Sequence, residues 1–481
     1  MKNILFAASE CVPFIKTGGL ADVVGSLPKC FSKEYFDCRV VMPKYKAIAE
    51  KYSSNMQYIA NFYMDLNWRN QYVGIFRMEL DGVTYYFIDN EEHFSGDSIY
   101  AGMPWDLEKF AFFSKAVLSI LPIIDFKPDV IHCHDWQTGL IPVYLHERFQ
   151  GNAFFHGMKS VMTIHNLKFQ GIWDMETVRS ITGLSEYYFS SDKLEFNKDA
   201  SYLKGGLVYA DAITTVSKTY AEEIKTPFYG EGLDGLLRAR AHDLRGIVNG
   251  IDYDVYNPET DENVEYHYNV KNFRKEKVKN KTALQKELGL EVDPKKMMIG
   301  VVSRLTDQKG FDLIAYMMEE LCHDAIQLVV LGTGDPKYEN MFRHFAWKYS
   351  DRVSANIYYN DALSHKIYAA SDAFLMPSLF EPCGLSQLMS LRYGTIPIVR
   401  ETGGLKDTVE PYNEYENKGT GFSFTNYNAH EMLGMVRYAE RAYYDHKRNW
   451  NKIVERAMQQ DYSWNASALQ YQELYDWLIG Y

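Results

Sequence analysis

Glu381 lies in the stretch Pro377-Ser378-Leu379-Phe380-Glu381-Pro382-Cys383-Gly384-Leu385-Ser386-Gln387, between the apolar run Ala373-Phe374-Leu375-Met376 and a segment from Gly384 to Arg392 with apolar residues at helical spacing. The run reads as a parallel strand and the segment as a helix. The carboxylate therefore sits on a loop at the carboxyl end of a strand, where open α/β sheets bind ligands, and the helix beyond it offers unpaired N–H groups to an anion. A second unit follows at once: Thr395-Ile396-Pro397-Ile398-Val399 as strand, Glu401-Thr402-Gly403-Gly404 as loop, Leu405 onward as helix. Two helix N-termini facing one cleft, each carrying roughly half a positive charge, suit a phosphate-bearing ligand. An ordinary loop with a solvated carboxylate is the alternative for this stretch taken alone.

Other strand ends carry polar residues of the same kind. Strand Asn3 to Ala8 is followed by Lys16-Thr17-Gly18-Gly19-Leu20-Ala21-Asp22, which matches neither a Walker A loop nor the GxGxxG fingerprint. Its glycines would let backbone approach a ligand closely, although a plain βα turn with a solvated lysine reads as well. Strand Asp129-Val130-Ile131 runs into His132-Cys133-His134-Asp135-Trp136-Gln137. The two histidines could share a face, which raises zinc, but no third and fourth ligand stands at suitable spacing, and a polar cluster lining a sugar site is the favoured reading. Strand Ser160 to Ile164 ends in His165-Asn166, and strand Gly246 to Val248 in Asn249-Gly250. Strand Met297 to Val302 ends in Ser303-Arg304-Leu305-Thr306-Asp307-Gln308-Lys309-Gly310, and strand Ile326 to Leu331 in Gly332-Thr333-Gly334-Asp335. Arg304 and Lys309 stand five residues apart across a turn from a strand end into a helix.

Strands alternating with helices position these groups, which describes doubly wound α/β domains. Residues 56 to 90 interrupt the pattern with polar and apolar alternation around Asp81-Gly82, an antiparallel excursion with a hairpin turn. At 481 residues the chain exceeds what one core usually supports, so two domains are expected. The polar stretch from about 256 to 294 reads as the entry to the second, with its basic run from Lys271 to Lys281 as a solvated face. A formal net charge of −12 argues against nucleic acid and anionic membrane surfaces as partners. The first apolar run is too short for a signal peptide or a membrane span. Cysteines at 11, 30, 38, 133, 322 and 383 show no paired close spacing, so a reducing cytoplasm is expected and neither disulfides nor a CxxC metal site is suggested. The 37 tyrosines are a weak hint of sugar stacking.

Lys16-Thr17-Gly18-Gly19-Leu20-Ala21-Asp22-Val23, His134-Asp135-Trp136-Gln137-Thr138-Gly139, Thr163-Ile164-His165-Asn166, Arg304-Leu305 with Gln308-Lys309-Gly310, and Phe380-Glu381-Pro382-Cys383-Gly384-Leu385 occur in one order. Together they resemble the bacterial-type glycogen and starch synthases, retaining glucosyltransferases of glycosyltransferase family 5 and the GT-B fold. The resemblance spans residue 3 to about 425. It implies two Rossmann-like domains, 1–248 on the acceptor side and 249–460 on the donor side, facing an interdomain cleft, with a C-terminal helix, 461–481, crossing back to the first. It implies transfer of glucose with retention from ADP-glucose, or UDP-glucose, to the non-reducing 4-OH of an α-1,4-glucan, without cofactor or metal.

By the same resemblance Lys16 matches a donor-phosphate lysine and Gly18 and Gly19 the loop closing on it. Arg304 and Lys309 match the diphosphate-stabilising pair, His165 a histidine beside the donor glucose, and Glu381 a carboxylate near that sugar. Tyr359 falls where an aromatic stacks on the base. Asp22, Asp135, Asn166, Asn249, Gly332, Cys383, Gly384, Leu385, Thr402, Gly403 and Gly404 are the remaining substrate-binding candidates. Met389 stands where many GT-B relatives carry a second Glu, although glycogen synthases of this type also lack it. The departing diphosphate gains negative charge, and with no DxD motif in view Arg304, Lys309, Lys16 and helix N-termini would neutralise it. Double displacement needs a carboxylate nucleophile at the anomeric carbon. Front-face substitution, with the departing phosphate taking the acceptor proton, is favoured. Another GT-B nucleotide-sugar transferase, making sucrose or trehalose, and a non-catalytic glucan-binding relative are the alternatives.

Overall fold

The computed structural model describes residues 1–149 and 151–480. Its strands are β1 (Lys2–Ala7), β2 (Phe36–Pro43), β3 (Gln57–Leu66), β4 (Arg69–Leu80), β5 (Val83–Asp89), β6 (Val130–His134), β7 (Lys159–Ile164), β8 (Ile172–Asp174), β9 (Glu195–Phe196), β10 (Asp199–Ser201), β11 (Ala212–Thr215) and β12 (Leu244–Gly246), followed by β13 (Met297–Val302), β14 (Ile326–Leu331), β15 (Val353–Asn356), β16 (Ala373–Met376), β17 (Ile396–Arg400) and β18 (Phe422–Phe424). The chain divides into two units. One comprises Met1–Val216, Ala221–Ile247 and Trp464–Tyr481, the other Ser217–Tyr220 and Val248–Ser463.

In the first unit a nine-stranded sheet runs β12-β11-β7-β6-β1-β2-β5-β4-β3. Neighbours from β12 to β5 are parallel, and β5-β4-β3 are antiparallel. Asp81 and Gly82 turn β4 into β5 with φ of 51° and 74°, the left-handed pair that a type I′ hairpin turn requires. Strands β1 and β6 are buried along nearly their whole length, as strands covered by helices on both faces must be. Strand order grows outward in both directions from β1, so the winding reverses between β1 and β6. The crevice outside the carboxyl ends of such a pair is where doubly wound sheets take ligands. A small sheet, β8-β10-β9, completes the unit.

The second unit holds an all-parallel sheet, β15-β14-β13-β16-β17-β18, whose winding reverses between β13 and β16. Its core packs Ile299, Val301, Phe374, Leu375 and Ile398 with the helices Phe273–Glu287, Ala429–Asp445 and Lys447–Met458. No helix among the described residues is long and apolar enough to cross a membrane.

Several local readings change. Strand β6 runs on to His134, so His132 and His134 are strand residues with no exposed surface. The helix after Gly384 begins at Ser386, and the one expected from Leu405 begins at Gly403 and ends at Thr408. The Lys271 to Lys281 run is a solvated face only in part: Lys271, Arg274 and Lys275 are exposed, whereas Lys277 and Lys281, on the helix Phe273–Glu287, are 7% and 1% exposed.

Candidate active site

In the second sheet, the loops after β13 and β16 meet at the switch point. Lys309 Nζ donates to Glu381 Oε1 at 2.9 Å and Oε2 at 2.6 Å, and Ser378 Oγ donates to Oε2 at 3.1 Å. Glu381 is 5% exposed, so Lys309 and Ser378 supply the partners that a buried carboxylate demands. The backbones are stitched as well, the Leu379 N–H donating to Gln308 O at 2.9 Å. Arg304 is exposed, and its guanidinium has no hydrogen-bond or ion-pair partner among the described residues. The cluster thus holds one neutralised cation, one free cation and one carboxylate, a net positive site beside a buried wall.

A second loop seats the first. Gly403 has φ of 44°, and a Cβ there would fall 1.8 Å from Glu381 O. The Gly404 N–H donates to Glu381 O at 3.1 Å, and Thr402 is the N-cap residue of the short helix that follows. These glycines therefore let one backbone lie against another and fix where Glu381 sits. Gln387 Nε2 donates to Cys383 O and Gly384 O, both at 2.9 Å, tying the turn before Leu385. Burial pushes the Cys383 thiol up to about 12, and the Asn249 N–H lies on its sulfur. Asn249 itself is 5% exposed, with its Oδ1 buried and unpartnered. Gly332 follows β14 and donates its N–H to Asn356 O at 3.1 Å. Tyr359, on the loop after β15, stands apart from this cluster and is 82% exposed, so a ring face is open for stacking.

The switch point of the first sheet holds the other group. Lys16 Nζ pairs with Asp22 at 2.8 Å on an exposed surface, a bond worth little in stability and readily exchanged for a ligand. Gly18 is extended at the N-cap of the helix Gly19–Ser26, and a Cβ there would meet nothing within 4 Å; the fold does not demand a glycine at this position. Glu10 anchors the loop: its carboxylate accepts from the Thr17 N–H, from Thr17 Oγ1 at 2.8 Å, from the Gly18 N–H at 3.3 Å and from the Tyr100 hydroxyl at 3.0 Å.

Asp135, just past β6, has φ of 57°, a conformation that non-glycine residues hold at a cost and that clusters at functional sites. Its Oδ1 accepts the His165 N–H at 2.7 Å. Burial raises its carboxyl to about 7, while the N–H groups of His165 and Asn166 pull the other way. His165 Nε2 and His134 Nδ1 share a hydrogen bond at 2.9 Å. His132 Nδ1 meets the Tyr475 hydroxyl at 2.7 Å and its Nε2 meets Thr163 Oγ1 at 2.5 Å. Desolvation takes His132 and His165 down to about 3 and His134 well below its ordinary value, so all three rings are neutral near pH 7. Of the ring nitrogens that raised zinc, both of His132 are engaged with hydroxyls and Nδ1 of His134 with His165, while His134 Nε2 is buried without a hydrogen-bond partner. Among the described residues no group of three or more His, Cys, Asp or Glu is disposed to hold a metal.

Sequence reasoning missed Glu10, Tyr100, Ser378 and Gln387 as the groups that hold these loops. Glu10 had a signal, a carboxylate directly after the first strand; Gln387 and Tyr100 had none.

Residues 3–239 match the model of the starch synthase catalytic domain, and residues 283–456 that of glycosyl transferases group 1. A glycogen synthase of Lachnospira eligens is 70% identical over 476 residues, 99% of this chain and 100% of the relative. The chain belongs to the glycogen/starch synthase family. Glycogen synthase of Clostridium acetobutylicum is 53% identical, with 98% of this chain and 99% of that one covered. The catalytic domain of starch synthase IV from Arabidopsis thaliana, solved with ADP and acarbose bound, superposes with a TM-score of 0.89 at 31% identity, covering 100% of this chain and 99% of that one. Sucrose-phosphate synthase from Thermosynechococcus elongatus, at 17% identity and a TM-score of 0.61 over 100% of this chain and 99% of that one, shares the fold alone. As a glycogen/starch synthase, the chain has the GT-B class of two Rossmann-like α/β domains with parallel sheets and is a glucosyltransferase of glycogen or starch synthesis.

Proposed function

We propose that the enzyme transfers glucose with retention from ADP-glucose to the non-reducing end of an α-1,4-glucan, in the cytoplasm. The observation that carries this reading is the pairing of Lys309 with Glu381 beside an unpartnered Arg304 at the switch point of the second sheet. Two cations and a buried carboxylate at a sheet's carboxyl edge suit a ligand with a diphosphate next to a sugar. The relative solved with ADP supports adenine as the base, and the open ring of Tyr359 is assigned to it. The orphaned Asn249 Oδ1 is assigned to a donor group of the bound ligand, and the backbone of Gly332, Cys383, Gly384 and Leu385, with Thr402, Gly403 and Gly404 behind it, to the walls around it. In the first unit Lys16, on a loop held by Glu10, is assigned to the donor phosphates. His165, Asn166, Asp135 and Asp22 are assigned to the reacting sugars.

As the glycosyl-phosphate bond breaks, the leaving diphosphate gains negative charge, and Arg304 and Lys309 are placed to meet it. The Glu381 oxygens are already engaged by Lys309 and Ser378. That favours Glu381 stabilising a positive anomeric carbon over attacking it, and hence front-face substitution in which the departing phosphate accepts the acceptor hydroxyl proton. The free thiols fit a reducing compartment.

Steady-state rates with ADP-glucose and UDP-glucose on one glycogen primer test the donor. A higher kcat/KM with ADP-glucose is expected, and a preference for UDP-glucose would overturn the base assignment. Because the donor set here is ammonium and guanidinium, activity should be unchanged by EDTA; loss on chelation, restored by Mg²⁺, would contradict the mechanism.

A further inference from the structure

The turn that carries Lys309 is held at both ends and from outside. On one side the Leu305 N–H donates to Thr333 O at 2.9 Å and the Asp335 N–H to Leu305 O at 2.8 Å, tying its start to the loop after β14. On the other the Leu379 N–H reaches Gln308 O, and Gly310, with φ of 78°, lies where a Cβ would fall 2.0 Å from Pro377 O. Between these seams runs a single 3-10 turn, Asp307–Lys309, whose N-cap residue, Thr306, makes no side-chain cap. Turns of this kind have poor hydrogen-bond geometry of their own, so the place of the Lys309 ammonium depends on what grips the turn.

Tyr338 supplies that grip. It stands in the first turn of the helix Pro336–Lys348 and is 4% exposed. Its hydroxyl donates to Asp307 Oδ1, and its ring packs on Phe311 with centroids 5.7 Å apart. One side chain thus holds the chain two residues before Lys309 and two residues after it. Burial, and then Asp307, push the phenol up to about 12, so the hydroxyl keeps its proton and Asp307 is the acceptor that a buried donor requires. Lys337 Nζ reaches the same oxygen at 2.7 Å, but both of those side chains are more than half exposed, and such a pair holds little. Asp307 is also an anion two residues from a lysine assigned to the donor diphosphate, where its charge offers an anionic ligand nothing. What it offers is position.

We propose that Asp307 and Tyr338 are positioning residues for glucosyl transfer: their hydrogen bond fixes the turn and so aims the Lys309 ammonium at the leaving diphosphate. This role rests on the diphosphate contact assigned to Lys309 in the preceding section. Misplacing a catalytic group by about 1 Å costs up to about 10²-fold in rate, and a charge that serves the transition state acts on turnover more than on binding, so the bond is read in kcat.

The test separates the bond from the charge and from the fold. Steady-state kcat and donor KM, with the preferred nucleotide-glucose donor on one glycogen primer, are compared for the parent enzyme, Tyr338→Phe, Asp307→Ala, Asp307→Asn and Lys337→Met, and the urea midpoint of each is recorded. Tyr338→Phe keeps the ring and loses the hydroxyl, and Asp307→Asn keeps an acceptor oxygen without the charge. Both Tyr338→Phe and Asp307→Ala should lower kcat about tenfold, with donor KM within about twofold of the parent's. Asp307→Asn should recover to within about threefold of the parent, and Lys337→Met should match it. Asp307→Ala combined with Tyr338→Phe should lose no more than either alone, since both remove one bond. A parent kcat in Tyr338→Phe and Asp307→Ala, whatever their urea midpoints, overturns the proposal. So do losses that multiply in the double variant, or an Asp307→Asn as slow as Asp307→Ala, which would make the charge the cause. Lys309→Ala measured alongside tells this failure from the other: a parent kcat there overturns the diphosphate reading of Lys309 itself.

Discussion

At the amino ends of β13, β16 and β17, lysines are buried and fully used. Lys277 Nζ donates to Ala369 O at 2.9 Å, Tyr393 O at 3.0 Å and Thr395 Oγ1 at 2.8 Å. Lys281 pairs with Asp372 at 2.6 Å and donates to Lys296 O and the Tyr443 hydroxyl, both at 3.0 Å. At the carboxyl ends of β13 and β16, Lys309 has one carboxylate and a serine beside it, and Arg304 has no partner among the described residues. The same sheet thus spends its cations in two ways. At one end each N–H is matched by a protein acceptor and the charge serves cohesion, with burial taking Lys277 down to about 7. At the other the match is left incomplete, and the unmet donors are what an incoming diphosphate would satisfy.

Substitution at the carboxyl end should give the largest effect and show it in turnover. Arg304→Ala and Lys309→Ala are each expected to lower kcat by about 10²- to 10³-fold, more than they raise donor KM, because their charge matters most as the leaving group gains its own. Both serve one developing charge, so the double variant should lose less than the product of the singles. A rise in donor KM at constant kcat would show uniform ground-state binding and erase the distinction between the two ends.

Lys277→Met should do the reverse. Ala369 O and Thr395 Oγ1 would lose the ammonium donor while Tyr393 O keeps the Tyr268 hydroxyl at 2.7 Å, costing on the order of 2 kcal/mol of stability, read as a lower urea midpoint, while kcat and both KM values of the folded enzyme stay near the parent's. A selective loss of kcat with unchanged stability would break the comparison. The smallest effect is expected from Lys16→Ala in the other unit, where an exposed pair with Asp22 is already loose: donor KM should rise about fivefold, one exposed phosphate contact being worth on the order of 1 kcal/mol, with kcat little changed. An unaltered donor KM would remove Lys16 from the phosphate site.

Much of this was legible in the sequence, for a physical reason. Parallel strands buried on both faces read as unbroken apolar runs, so β1, β13, β14 and β16 stood out, and the polar residues after them marked the carboxyl edges. The Asp81-Gly82 turn announced the hairpin. Strand β15, Val-Ser-Ala-Asn, and β18, Phe-Ser-Phe, are too short and too mixed to show a period. Charge misled at Lys277 and Lys281, because a basic run gives no sign that carbonyls at the starts of three strands await it. Glu10 was passed over because its partners are the Thr17 and Gly18 N–H groups, which the sequence does not display, and the Thr17 and Tyr100 hydroxyls, the latter 90 residues away in the chain. Conversely, Gly403 and Gly404 were read as lining a ligand, and the structure gives them a tighter duty against Glu381 O and Cys383 O.

The last helix, Trp464–Ile479, lies in the first unit, where Tyr475 bonds His132, the aspartate at 476 pairs with Lys2, and Trp477 lies under Arg245. During synthesis the second unit, contiguous from Val248 to Ser463 apart from four earlier residues, has its sequence available before the first is complete. Until Trp464–Ile479 has been made, His132 on β6 therefore lacks its Tyr475 hydroxyl partner. Removing that helix would uncover the His132 imidazole, next to the His134 and His165 pair, and take away the hydroxyl that it meets at 2.7 Å.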